Sequence, residues 1–186
     1  MKEICSYENC FGCSLCHDLC PKNAITISCA SGFWRPVIDS QKCIDCGLCK
    51  KSCPANNIAD AETLKRPTMH CYASWSKDEI THFNSASGGL AYELSKWFIE
   101  NGGCVVGCSF EVVNGFLTAK HVIVDTITDL QKLSKSKYVH SNKDDIYKAV
   151  AEVSKHRKVL FIGVSCEVFA LYEYFKACRH DITNVY

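Results

Sequence analysis

Cys10-Phe11-Gly12-Cys13-Ser14-Leu15-Cys16-His17-Asp18-Leu19-Cys20-Pro21 and Cys43-Ile44-Asp45-Cys46-Gly47-Leu48-Cys49-Lys50-Lys51-Ser52-Cys53-Pro54 are two copies of one pattern, set 33 residues apart. Each reads C-x2-C-x2-C-x3-C-P. Three thiolates on one tight loop can cap three corners of an iron–sulfur cubane. The proline then turns the chain, and in this spacing the fourth cysteine serves the other cluster. The pattern therefore predicts one 4Fe–4S cluster on Cys10, Cys13, Cys16 and Cys53, and a second on Cys43, Cys46, Cys49 and Cys20. Structural zinc normally uses C-x2-C pairs separated by longer loops, not triplets followed by cysteine and proline.

Between the runs, Ala24 to Ile27 and Trp34 to Ile38 read as short strands joined by a turn around Ser31-Gly32. Gly12 and Gly47 give the two loops room to wrap closely. Cys5 and Cys29 are left over and read as small apolar core residues, and His17 as a surface histidine.

Composition agrees with this reading. The 15 cysteines are about 8% of 186 residues, a density that marks either a disulfide scaffold or a metal protein. An odd count and an N-terminus without a signal-peptide core favour metal, in a reducing, cytoplasmic setting. No stretch reaches the roughly 18 apolar residues of a membrane span. With 21 basic and 20 acidic residues there is no electrostatic footprint for nucleic acid. The charge balance of residues 1–60 favours an electron partner within the same chain.

Ten of the 15 cysteines precede residue 54, and apolar periodicity strengthens beyond. The expected organisation is an α+β ferredoxin-like module over 1–60, a linker over 61–70, and an α/β domain over 71–186. That domain is expected to hold a mixed, mostly parallel sheet, incomplete at residue 186. Expected strands are Cys71–Trp75, Cys104–Phe110, Leu117–Val124 and Val159–Gly163, with Ile182–Tyr186 opening another. Expected helices are Gly88–Glu100, with Leu90, Leu94, Trp97 and Phe98 at helical spacing, and Ile127–Leu133 capped by Asp125 or Thr126. Lys143–Lys155, capped by Ser141 or Asn142, and Glu167–Ala177 complete the set.

Six landmarks then follow in order: the paired cysteine runs, Tyr72-Ala73-Ser74-Trp75, Ser85-Ala86-Ser87-Gly88-Gly89, Gly102-Gly103-Cys104-Val105-Val106-Gly107, Ser136-Lys137-Tyr138-Val139 and Gly163-Val164-Ser165-Cys166. In that order the chain resembles the coenzyme F-420 hydrogenase/dehydrogenase beta subunit family, iron–sulfur flavoproteins, over essentially its whole length. The resemblance implies an oxidoreductase subunit in which FAD passes electrons between the clusters and a deazaflavin coenzyme or another acceptor. It puts the flavin at Ser85, Ser87, Gly88 and Gly89, where glycines and free helix N–H groups suit an anion, with Lys137 adding charge. It also implies that Cys166 ligates a further 4Fe–4S cluster completed by downstream cysteines, its thiol pKa lowered at the start of a helix. Cys71, Cys104, Cys108 and Cys178 are expected to pack as small apolar residues. The sequence departs from the family where Ser165 replaces a usual proline, Glu167 a common glutamine and Lys135 a frequent glycine. The family's flavin domain usually continues beyond position 186, so the chain reads as truncated. The other reading is a ferredoxin-type electron carrier whose α/β segment only docks a partner. In either case the partner is a redox protein or a small electron acceptor.

Overall fold

The structure, a computed structural model, describes residues 3–30, 32–58 and 70–186. Ser31 and almost all of the expected linker lie outside the described residues. Each cysteine run builds the same local unit, a left-handed residue followed by one helical turn. Ser14 (φ 63°) precedes α1, Leu15–Asp18, and Gly47 (φ 75°) precedes α2, Leu48–Lys51. Between them β1, Ile25–Ala30, pairs antiparallel with β2, Phe33–Ile38, with Ile25 opposite Ile38. A 3-10 turn at Pro54–Asn56 closes the unit. Asn56 Nδ2 donates to Ile4 O (3.0 Å) and Lys50 O (2.9 Å), fastening the start of the chain to the end of the second run.

In the second half, α3 (Glu79–Asn84) and α4 (Leu90–Glu100) lead into β3 (Cys104–Val113) and β4 (Phe116–Val124). The sheet is mixed, in the order β4-β3-β5, with β5 at Val159–Phe161. It is not the mostly parallel sheet that was expected: its longest ladder is the antiparallel β3/β4 hairpin, from Val105 opposite Val124 to Val113 opposite Phe116, while β3 meets β5 only over Cys104 to Val106. The hairpin follows from Asn114-Gly115, both at positive φ (52° and 82°), the chemistry of a two-residue turn whose twist matches that of the strands. The parallel part is β3 against β5, extended by Val185 beside Val159, as expected of the chain's last residues. Between β4 and β5 run α5 (Ile127–Leu130), capped by the Thr126 hydroxyl, a 3-10 turn at Gln131–Leu133, and α6 (Ile146–Val153). Then α7 spans Ser165–Cys178.

Three expectations are corrected. Residues 71–75 are not a strand; Ser76 N–H bonds Gly88 O instead, so this segment lies against the start of α4. Helix α4 carries two apolar stripes at helical spacing, and Phe98 decides between them. Tyr92, Ser95, Phe98 and Ile99 turn inward toward Val105, Val124 and Leu130, while Leu90, Leu94 and Trp97 remain exposed. Of the cysteines expected in cores, only Cys104 is fully buried; Cys5 and Cys108 are half-buried, and Cys29, Cys71 and Cys178 are exposed.

The two halves share one buried core. Leu15 and Leu19 of the first pack with Val106, Ile146, Tyr147, Val150, Ala170, Leu171 and Phe175 of the second. By the usual transfer value, full burial of each leucine contributes about 2 kcal/mol to this union.

Candidate functional site

The cysteines of the two runs line two small cavities. Cys10, Cys13, Cys16 and Cys53 line one, and Cys20, Cys43, Cys46 and Cys49 line the other, each with a volume of about 20 Å³. Each run thus brings three sulfurs to one cavity and its fourth, just before the proline, to the other. Cys5 also lines the first cavity.

The donor set can be tested against the two metals that thiols commonly hold. Tetrahedral zinc with Zn–S near 2.3 Å needs sulfurs roughly 3.8 Å apart. Among the described residues, no three cysteine sulfurs lie within 4.8 Å of one another. Four thiols sharing a cavity at wider spacing fit the corners of a cubane better than one small ion. Burial pushes the Cys13 thiol up to about 12 and raises those of Cys16 and Cys49. Such sulfurs ionise readily only against a cation, as iron would supply. Exposed residues sit on the rim of both cavities, Ile44 and Cys46 on the second and Phe11 on the first.

The first cavity is fastened to the second half by hydrogen bonds spanning most of the chain. Asp18, between Cys16 and Cys20, is buried, and its carboxylate accepts from the N–H groups of Asp145 (2.9 Å), Tyr147 (2.9 Å) and Lys148 (3.4 Å). These are the orphan donors at the start of α6. The helix is therefore capped by Asp18 and begins at Ile146. The expected caps serve elsewhere: Asn142 Oδ1 accepts from Asp144 N–H, and the Ser141 hydroxyl bonds His121 Nδ1. The fully buried Tyr147 donates its hydroxyl to Cys13 O (2.7 Å). His17, expected at the surface, is half-buried, with Nδ1 2.6 Å from Ile25 O and Nε2 3.5 Å from Asp145.

A second tie runs through His140. Its Nδ1 accepts from Trp34 N–H (3.2 Å), which leaves Nε2 to carry the proton and donate to Phe11 O (2.9 Å). Burial lowers its pKa, in keeping with this neutral tautomer. Trp34 Nε1 donates to His140 O (3.1 Å). Gly12 makes the approach feasible. At φ 60°, a Cβ there would stand 2.2 Å from His140 Cε1 and 2.4 Å from Trp34 O. Gly12→Ala is expected to cost about 2 kcal/mol through left-handed strain and overlap. An unchanged midpoint in urea unfolding would contradict this contact.

On the far side of His140 lies a cavity of about 930 Å³, at the upper end of the size range of small-molecule and cofactor pockets. Of the residues expected to bind flavin, Ser85, Ser87, Gly89 and Lys137 line it, as do Gly32 and Phe33 from the first half. Gly88 does not. It sits where Ser74-Trp75 crosses, and a Cβ there would lie 2.6 Å from Ser74 O. Gly89, in the left-handed region at φ 80°, is the N-cap of α4, and Ala91 and Tyr92 of the helix's first turn also line the cavity. Lys137 donates to Lys132 O (3.0 Å) and Ser134 O (2.6 Å), and burial lowers its pKa. Two of its three donors are thereby committed to the loop.

A buried polar group closes one wall. Glu167 receives Lys143 Nζ at 3.1 Å and lies 3.4 Å from His121 Nε2; its Oε2 also accepts the Val164 N–H (2.9 Å). Burial raises the Glu167 carboxyl. The His121 hydrogen bond and the His121 and Lys143 charges outweigh that and hold it at about 2. Cys166, next in the chain, lines neither this cavity nor the two cysteine cavities. Its thiol pKa is raised, chiefly by burial and further by Glu167, which corrects the expectation that the helix start lowers it.

The family description 4Fe-4S dicluster domain matches residues 9–57, and a second match of the same description covers residues 35–84. The first takes in both cysteine runs. These matches support a ferredoxin-type iron–sulfur module over the first part of the chain, of the kind that passes electrons to a redox partner. No curated protein matches the chain. Among the described residues, no helix is long and apolar enough to cross a membrane.

Sequence reasoning missed Asp18, His140 and Tyr147 as the parts that join the halves. Asp18 lies inside the first run, where a buried carboxylate between two thiol ligands would call for explanation. His140 and Tyr147 have no local signature.

Proposed function

We propose that the chain is an iron–sulfur electron-transfer subunit with a flavin beside its first cluster. Cys10, Cys13, Cys16 and Cys53 hold that cluster, and Cys20, Cys43, Cys46 and Cys49 hold the second. One observation carries the reading: the cavity of about 930 Å³ is walled by His140, whose ring bonds the Phe11 carbonyl beside Cys10. A cofactor there would lie next to the first cluster, while the second, with Cys46 exposed beside it, is left for an outside partner.

A flavin, when bound, converts single electrons from clusters into the electron pair that a small substrate takes. The protein's own residues prepare for this. Gly89 and the first turn of α4 offer backbone N–H groups to a phosphate. His121 and Glu167 both line the cavity, and His121 Nε2 is a buried nitrogen without a well-aligned hydrogen bond. The order of the second-half motifs, similar to the coenzyme F-420 hydrogenase/dehydrogenase beta subunit family, supports FAD as the flavin and a deazaflavin as one acceptor. The commitment of Lys137 to two backbone carbonyls favours the second reading, an electron carrier whose second half only docks a partner.

Anaerobic purification followed by iron, acid-labile sulfide and flavin assays separates these readings. About eight iron and eight sulfide per chain, with released FAD, is the expected result. The same iron without flavin would leave the carrier reading. Zinc without sulfide would overturn both.

A further inference from the structure

The first cavity holds a thiol that the two-cluster count does not use. It is lined by Cys5 as well as Cys10, Cys13, Cys16 and Cys53, whereas the cysteines lining the second cavity are its expected four. The Cys5 thiol interacts electrostatically with those of both Cys53 and Cys10, its neighbours in the cavity lining. A residue serving only as apolar filling has no need of two sulfur neighbours. Its backbone is also well held. Ile4 is buried with Ile25 and Cys49, and Ile4 O accepts from Asn56, three residues after Cys53. Cys5 and Cys53 therefore belong to one fastened corner of the module.

We propose that Cys5 is a reserve ligand of the first cluster, able to take over the iron held by Cys53 or, from the same position, by Cys10. The inference rests on the two-cluster reading above. The exchange balances without a redox partner. The iron–sulfur bond to Cys53 breaks, the bond to Cys5 forms, and the Cys5 proton passes to the released Cys53 sulfur along their contact. No electron moves and the charge of the site is unchanged. Cys53 is the ligand that reaches this cavity from the other run. A local replacement there would keep the first cluster, the one beside the large cavity, in place.

The test uses the full chain, reconstituted anaerobically, with iron and sulfide counted and the reduced clusters read by electron paramagnetic resonance. Wild type and Cys5→Ala are both expected to hold about eight iron. Cys53→Ala is expected to keep about eight, with the first cluster's signal shifted by the changed ligand. Cys20→Ala, its counterpart at the cavity without a spare thiol, is expected to fall to about four, as is Cys5→Ala combined with Cys53→Ala. The remaining cluster's signal reports folding in each sample. Should Cys53→Ala not accumulate, Cys10→Ala is compared with Cys43→Ala in the same way. A Cys53 or Cys10 variant that loses half its iron, as its counterpart does, would overturn the reserve-ligand role alone. Wild type lacking sulfide would overturn the two-cluster reading itself.

Discussion

Asp18→Ala is expected to lower stability by about 3–5 kcal/mol and to strip protection from the first amides of α6. The carboxylate is buried, and it accepts from Asp145, Tyr147 and Lys148 N–H groups. Hydrogen bonds to a charged acceptor contribute roughly 1.5–3 kcal/mol each, and a buried donor left without one costs about 1–3. Those ranges do not add fully, because water can reach the less buried Asp145 and Lys148 amides once the side chain is gone. Even so, the expected loss exceeds that of an ordinary N-cap, about 0.5–2 kcal/mol, since this cap also holds the two halves together. Asp18→Asn keeps one acceptor oxygen and should fall between alanine and wild type. Urea unfolding measures the total, and hydrogen exchange at Asp145, Tyr147 and Lys148 assigns it. An alanine variant within 1 kcal/mol of wild type, with unchanged exchange at those amides, would show that the cap is not formed.

Lys143→Met is expected to have a comparable effect by a different route. Lys143 and Glu167 are 1% and 6% exposed, so neither can turn to water when its partner is lost. Lys143 Nζ bonds Ser141 O at 2.7 Å and Glu167 at 3.1 Å. Methionine fills the space of the lysine stem but leaves a buried carboxylate with less compensation. Breaking a buried pair in this way costs about 3–5 kcal/mol. Adding Glu167→Gln should restore much of the loss, because the uncompensated charge is then removed as well.

The pH dependence gives an independent reading of the same pair. The folded Glu167 carboxyl is held at about 2, below its ordinary value of 4.5. A lowered carboxyl pKa contributes stability that is present above about pH 4.5 and is lost as pH falls toward 2. Without Lys143 the folded value rises, so the contribution of Glu167 falls and its acid-driven loss, which still begins near pH 4.5, is complete at a higher pH. Identical acid-unfolding profiles for wild type and Lys143→Met would rule out the pairing.

The candidate cluster sites were legible in the sequence because they depend on local spacing. Three sulfurs within seven residues, then a fourth before proline, constrain where each thiol can point. The β3/β4 hairpin is equally legible in Asn114-Gly115, a two-residue turn signal that a mostly parallel sheet leaves out of account. The buried face of α4 was ambiguous for a different reason. Its two apolar stripes have the same period, and only packing against Val105, Val124 and Leu130 chooses between them.

By itself, then, the sequence determined the sulfur chemistry, the ferredoxin-type half and most helices and strands, all of which follow from residues close together in the chain. Tertiary structure alone decided which carboxylate caps α6, which histidine stands between the first cysteine loop and the large cavity, and which fifth cysteine lines the first cysteine cavity. Asp18 and Asp145 are 127 residues apart, and Trp34 and His140 are 106 apart. No local period encodes such pairs. They form because a buried donor or acceptor without a partner is costly, and the packed core brings these groups within reach of one another.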